Sequence, residues 1–248
     1  MYFNDVNILY YLIAGILGVI VGQIIDYTSK CFFREEKILR KENFRKYRKT
    51  TIPNFFTILC MVIINVALVY KFGIYTNFIE NLELIKYLIL VPLLLCALII
   101  DFKKQIMPNR LNLLIFEIGL MFIFIYGFVN INLALNLILG GLVGGGIFVL
   151  IALLGGLIAG KEAMGFGDVK FIGAIGIFFG FSRIIAISLM SFLLGAIISI
   201  ILMIFKTKKA NEYIPFGPFI SIASIITIFV PFNVLYNCLL TIFTLGLY

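Results

Sequence analysis

Eight apolar runs, at residues 8–26, 54–72, 85–100, 111–129, 133–158, 169–181, 184–205 and 214–231, follow one another with only short polar breaks between them. About 20 apolar residues let an α-helix cross a hydrocarbon core. The sequence therefore predicts an all-α polytopic membrane protein, a bundle of about eight transmembrane helices. With 62% hydrophobic and 13% charged residues in 248, no room is left for a large soluble domain, so 1–248 is read as a single membrane-embedded domain. The run 169–181 is short for a span, and 234–247 reads as an interfacial tail, a ninth short helix or a continuation of the eighth beyond Pro231. Asp5 and the lack of a basic segment before the first run make that run a spanning helix, not a cleaved signal peptide.

Basic residues set the expected orientation, because loops rich in Lys and Arg stay on the cytoplasmic side. With the amino terminus outside, the loop 28–50 holds Lys30, Arg34, Lys37, Arg40, Lys41, Arg45, Lys46, Arg48 and Lys49. Lys103, Lys104, Arg110, Lys161, Lys170, Lys206, Lys208 and Lys209 fall on that same face, which thus takes seventeen of the twenty basic residues. Lys71, Lys86 and Arg183 fall on the other. The net charge of +8 is accounted for by these loops, which suit anionic lipid better than nucleic acid.

The chain has no histidine, the residue that most often activates serine or thiol nucleophiles and ligates catalytic zinc. That excludes a Ser-His protease and a membrane HExxH metalloprotease. Of the four cysteines, Cys60, Cys96 and Cys238 lie in apolar segments, Cys31 does not, and none forms a CxxC pair, so all are read as packing residues.

Two aspartates stand where apolar segments meet water, and acids at such depth are functional candidates by default. The predicted topology puts Asp101 at the end of the third span and Asp168 at the start of the sixth, on one membrane face. Two close carboxyl groups share a proton, so the ionised one can activate water while the protonated one polarises a carbonyl. The plainer reading makes each acid a counter-ion of Lys103, Lys104 or Lys170. Asp168 lies in Gly165-Phe166-Gly167-Asp168, where glycine lets the chain bend and a substrate strand approach. Asp101 precedes a turn at Pro108-Asn109, since proline disfavours helix in the residue before it. Pro215-Phe216-Gly217-Pro218 marks irregular backbone at the mouth of the eighth span, tolerated where protein or a cavity covers it. Glu117 shares a helical face with Arg110 and reads as its ion-pair partner, Asp26 as a solvated helix-end charge beside Lys30. Gly140, Gly141, Gly144, Gly145 and Gly146 read as small-residue contacts of the fifth span.

Taken in order, Asp101 to Asn109, Gly165 to Gly176 and Ile214 to Phe219 resemble the type IV prepilin peptidase family, with its early aspartate and Pro-Asn turn, its GxGDxK and its Pro-Phe-Gly-Pro element. The likeness spans about residues 85 to 220, and Gly15 to Asp26, with Gly22-Gln23, looks like a diverged form of the family's first helix. The resemblance implies an aspartic endopeptidase of the cytoplasmic membrane that removes the short basic leader of prepilins or pseudopilins at the cytoplasmic face. It makes Asp101 and Asp168 the catalytic pair. Gly165, Gly167, Lys170, Pro108, Asn109, Pro215, Phe216 and Gly217 become loop-shaping or substrate-binding positions. Proteolysis of this kind needs no cofactor. Many bacterial members bind zinc through two CxxC pairs in the first cytoplasmic loop and methylate the new amino terminus with S-adenosylmethionine. The loop here holds only Cys31, so no zinc is expected and the methyltransferase activity is left open.

Two rivals are weighed against this. Presenilins and signal peptide peptidases also pair aspartates with GxGD, but carry a late Pro-Ala-Leu element that this chain lacks. A transporter with broken, glycine-rich helices would be expected to show an internal repeat, and none relates the two halves.

Overall fold

The computed structural model describes residues 2–3, 6–34, 41–50, 53–159, 164–205 and 214–244. Of the residues in the orientation argument, Lys37, Arg40, Lys161, Lys206, Lys208 and Lys209 lie outside these. Packing divides the chain into two compact units, Met1–Ile100 and Asp101–Tyr248. Apart from a two-residue strand pair, Tyr2–Phe3 (β1) with Val6–Asn7 (β2), the described structure is helical.

The first unit contains α1 (Ile8–Phe33), α2 (Lys41–Thr50), α3 (Phe55–Phe72) and most of α4 (Phe78–Lys104). Asn7 and Asn54 cap α1 and α3, their side-chain oxygens accepting from Leu9 N and Phe56 N at 3.1 Å. Pairing of α1 with α3 depends on glycine. A Cβ at Gly18 would lie 2.7 Å from Val62 Cα, and one at Gly22 would lie 2.8 Å from Ile58 Cα, so the backbones touch where the small residues recur every four.

Here the structure corrects the reading of Asp26. It is buried, and its Oδ2 accepts from Lys30 Nζ (2.7 Å), Tyr47 Oη (2.6 Å) and Asn54 N (3.2 Å). The helix does not stop at Asp26 but runs on to Phe33, and α2 lays Tyr47 over the carboxylate. Burial, and then the hydrogen bond and charge of Asp26, hold the Tyr47 phenol above its ordinary range, so it remains a donor. The expected open loop over 28–50 is thus partly two helices, clasped to α3 through one acid.

The second unit begins at Asp101 and holds α5 (Asn109–Val129), α6 (Ile131–Ala159), α7 (Phe166–Phe179), α8 (Phe181–Ile204), α9 (Gly217–Phe229) and α10 (Phe232–Phe243). The eight apolar runs map onto eight helices, of which six (α1, α3, α4, α5, α6 and α8) are long and apolar enough to span a membrane. The run 169–181 becomes the 14-residue α7, and Pro231 separates α10 from α9, so the tail is a short helix of its own. Helix α7 is the most enclosed element, packed against α5, α6, α8 and α9. Its contact with α6 is backbone on backbone: a Cβ at Gly140 would strike the Gly176 carbonyl, and one at Gly176 the Gly140 carbonyl. Gly141 and Gly144 are similarly tight, Gly145 is looser, and Gly146 faces open space, so the contact stripe ends one residue earlier than expected.

Candidate active site

Asp101 lies on the last turn of α4, where Gln105 N donates to the Asp101 carbonyl at 2.8 Å and Gln105 takes a left-handed φ of 54°. That turn reverses the chain into Pro108, which caps α5 and whose carbonyl accepts from Leu111 N and Asn112 N. The carboxyl group of Asp101 is buried, the residue being 1% exposed, and its Oδ2 accepts from Gly217 N at 2.9 Å. A main-chain amide is thus a partner of Asp101, one that the counter-ion reading does not include.

The Pro215–Pro218 element explains that amide. Gly217 opens α9 with Pro218 beside it, in the first turn, where a missing N–H costs no helical bond. Phe216 is gripped by the rings of Phe148 (5.7 Å) and Phe192 (5.0 Å), which fixes where α9 starts. Position 217 has no room for a side chain, since a Cβ there would lie 2.6 Å from Asp101 Oδ2 and 2.5 Å from Met107 Cε.

Asp168 sits in the first turn of α7, 3% exposed, its N–H donated to the Gly165 carbonyl at 3.0 Å. A Cβ at Gly167 would lie 3.0 Å from Met107 Cβ. Met107 thus lies against the glycine beside Asp168 and against the glycine whose amide holds Asp101. Lys170 Nζ donates to Asn109 Oδ1 (3.2 Å) and lies over the Phe166 ring, while Asn112 Nδ2 donates to the Gly167 carbonyl (2.9 Å). These two contacts tie the Pro108-Asn109 turn to the GxGD turn and give Lys170 a positioning task.

Every residue singled out from the sequence for this site lies in the second unit, as do Met107 and Asn112, which the sequence reading missed. Asn112 carries a usable signal, a polar residue at the start of an apolar run and about one turn into α5. Met107 carries none. Glu117 stands apart. It and Arg110 are both exposed and form no ion pair, because seven residues along a helix separate them by about 10 Å of rise. Glu117→Gln should retain more than about half of wild-type activity, as surface substitutions away from buried features usually cost little. A loss as deep as that of an Asp101 variant would place Glu117 in the chemistry.

Among the described residues no three His, Cys, Asp or Glu side chains are grouped as metal ligands would be.

Residues 88–200 match the family model described as the type IV leader peptidase family. The chain is similar to prepilin leader peptidase/N-methyltransferases from Aeromonas hydrophila (32% identical over 136 residues, covering 55% of this chain and 46% of that one). It is similar to the one from Legionella pneumophila (30% over 149 residues, 60% and 51%). It is also similar to the one from Escherichia coli strain K12 (28% over 130 residues, 52% and 56%). The chain spans about half the length of the curated relatives it matches. No solved structure matches it.

Proposed function

Residues 88–200 carry a type IV leader peptidase family domain, and on that premise we propose that this chain is a multi-pass aspartic endopeptidase of the cytoplasmic membrane. It cleaves the short basic leader from prepilins or pseudopilins at the cytoplasmic face. The observation that carries the reading is that two buried acids, Asp101 at the end of α4 and Asp168 at the start of α7, each stand by a glycine that lies against Met107.

In this reading the pair holds one proton between its two carboxyl groups, as close acids do. The ionised member takes a proton from a water, whose oxygen attacks the scissile carbonyl. The protonated member hydrogen-bonds the carbonyl oxygen as it gains charge, and a proton passes to the leaving amine as the C–N bond breaks. No cofactor is consumed. Catalytic contacts often tighten only when substrate is bound, and the reacting water then lies between the two carboxyl groups. The excess of basic residues in the segments flanking Asp26, Asp101 and Asp168 supports the cytoplasmic placement.

The test is incubation of the full chain with a membrane-inserted prepilin, reading the new amino terminus by mass spectrometry with and without S-adenosylmethionine. One cut after the basic leader, made without added cofactor, is expected; an intact prepilin overturns the reading.

A further inference from the structure

The apolar runs of α1 and α3 meet at one carboxylate. Asp26 closes the run 8–26, Asn54 opens the run 54–72, and Asn54 N donates to Asp26 Oδ2 at 3.2 Å. Two spans of opposite direction thus reach the membrane boundary at the same level. Tyr47 Oη donates to that same oxygen at 2.6 Å, and the Phe44 ring meets Tyr27 edge-on at 5.4 Å. Helix α2, which carries Phe44 and Tyr47, is therefore held at the height of the lipid headgroups. Phe44 stays 53% exposed there, at the depth where aromatic side chains settle in a bilayer.

Half of the 10 residues of α2 are basic, Lys41, Arg45, Lys46, Arg48 and Lys49, against one acid, Glu42. At 3.6 residues per turn, every one of the five lies about 100° or more round the helix from Tyr47. Lys41, Arg45, Arg48 and Lys49 keep the i, i+4, i+7 and i+8 spacing of a single face, with Phe44 at its edge. Arg45 is exposed. Like charges four residues apart weaken a helix, and 10 residues are too few to hold one alone, so this face needs anions from outside the chain.

We infer that α2 is an interfacial helix whose basic face gathers anionic phospholipid headgroups, while the bond from Tyr47 to Asp26 fixes its depth. A layer of phosphate esters at the level of Asp26 is the chemistry that fits, and an anionic bilayer surface supplies it. Lys30 Nζ lies 2.7 Å from Asp26 Oδ2, so the acid does not oppose the basic face. A basic peptide is repelled by that face. Nucleic acid carries the same phosphates but offers no apolar layer to receive Phe44. Such binding needs no proteolysis, so cleavage of prepilin neither supports nor overturns it.

The chain has no tryptophan, so Phe44→Trp makes α2 the sole source of indole fluorescence. The full-length variant is reconstituted in vesicles of equal parts phosphatidylcholine and phosphatidylglycerol, with brominated acyl chains, which quench indole on contact, on one lipid or on the other. Brominated phosphatidylglycerol is expected to quench with an apparent preference of at least about fivefold over brominated phosphatidylcholine, the amount one basic residue at an anionic surface supplies. Sodium chloride at about 1 M should bring the ratio below about twofold, because the attraction is screened. Adding Arg45→Glu and Lys49→Glu should do the same at low salt. Phe124→Trp, at a position of α5 that is 69% exposed, reports ordinary lipid contact and should show no preference. Equal quenching of the Phe44→Trp chain by both lipids, no quenching by either, or a preference that survives salt or charge reversal overturns the assignment. If the charge-reversed chain fails to insert, the salt series decides alone.

Discussion

Asp101→Asn or Asp168→Asn should lower prepilin cleavage about 10⁴-fold or more while the protein still inserts into membranes at wild-type levels, since each change removes one half of a proton-sharing pair. The substitution is close to isosteric, so Met107 and the glycines around it keep their places. An asparagine at 101 can still accept from Gly217 N through its carbonyl oxygen, which separates loss of chemistry from loss of the local fold. The check is a time course of leader removal by purified, correctly inserted variants, read by mass spectrometry. Cleavage within about tenfold of wild type by either variant would end the aspartic protease assignment.

Gly217→Ala should be nearly as damaging, although it adds a single methyl group. That methyl would lie 2.6 Å from Asp101 Oδ2 and 2.5 Å from Met107 Cε, and the ring grip on Phe216 prevents α9 from backing away. Asp101 must therefore turn, giving up its main-chain donor. A catalytic group displaced by about 1 Å costs about 100-fold in rate, and a fall of that order in kcat with little change in KM is expected. Gly146→Ala, at a glycine with open space around its Cβ position, is the matched control and should change neither. Equal effects of the two substitutions would show that Gly217 has no special relation to Asp101.

The helical architecture was legible because long apolar runs favour helices that can span a membrane: all eight runs became helices, six of them long and apolar enough to cross one. Helix ends were less legible. Helix α4 begins at Phe78, seven residues before the apolar run at 85, and takes in Glu80 and Glu83. Apolarity marks the lipid, whereas a helix can continue into water or polar packing. The site was legible where its chemistry is written in rare residues at fixed spacing, as in GxGD and Pro-Phe-Gly-Pro. It was not legible where a partner is distant in sequence. Nothing near Asp26 announces Tyr47, 21 residues on, and the partner of Asp101 is an amide 116 residues away. Such contacts arise only from packing, and a lysine a few residues along is the more visible candidate in the sequence.

The shortness of α7 carries a further consequence. At 14 residues it is about 21 Å long, against a hydrocarbon core of about 30 Å. Locked to α6 by backbone contact at Gly140 and Gly176, it has no side chains there to repack and so no means of sliding to make up the difference. With its first turn at the interface, where Asp168 is expected to meet water, its other end at Phe179 falls short of the opposite face unless the bilayer thins around the protein. Lipid thickness then becomes a parameter of the reaction, and cleavage rates in vesicles of graded acyl length should decline as the chains lengthen; a flat series would mean that the helices around α7 make up its missing length.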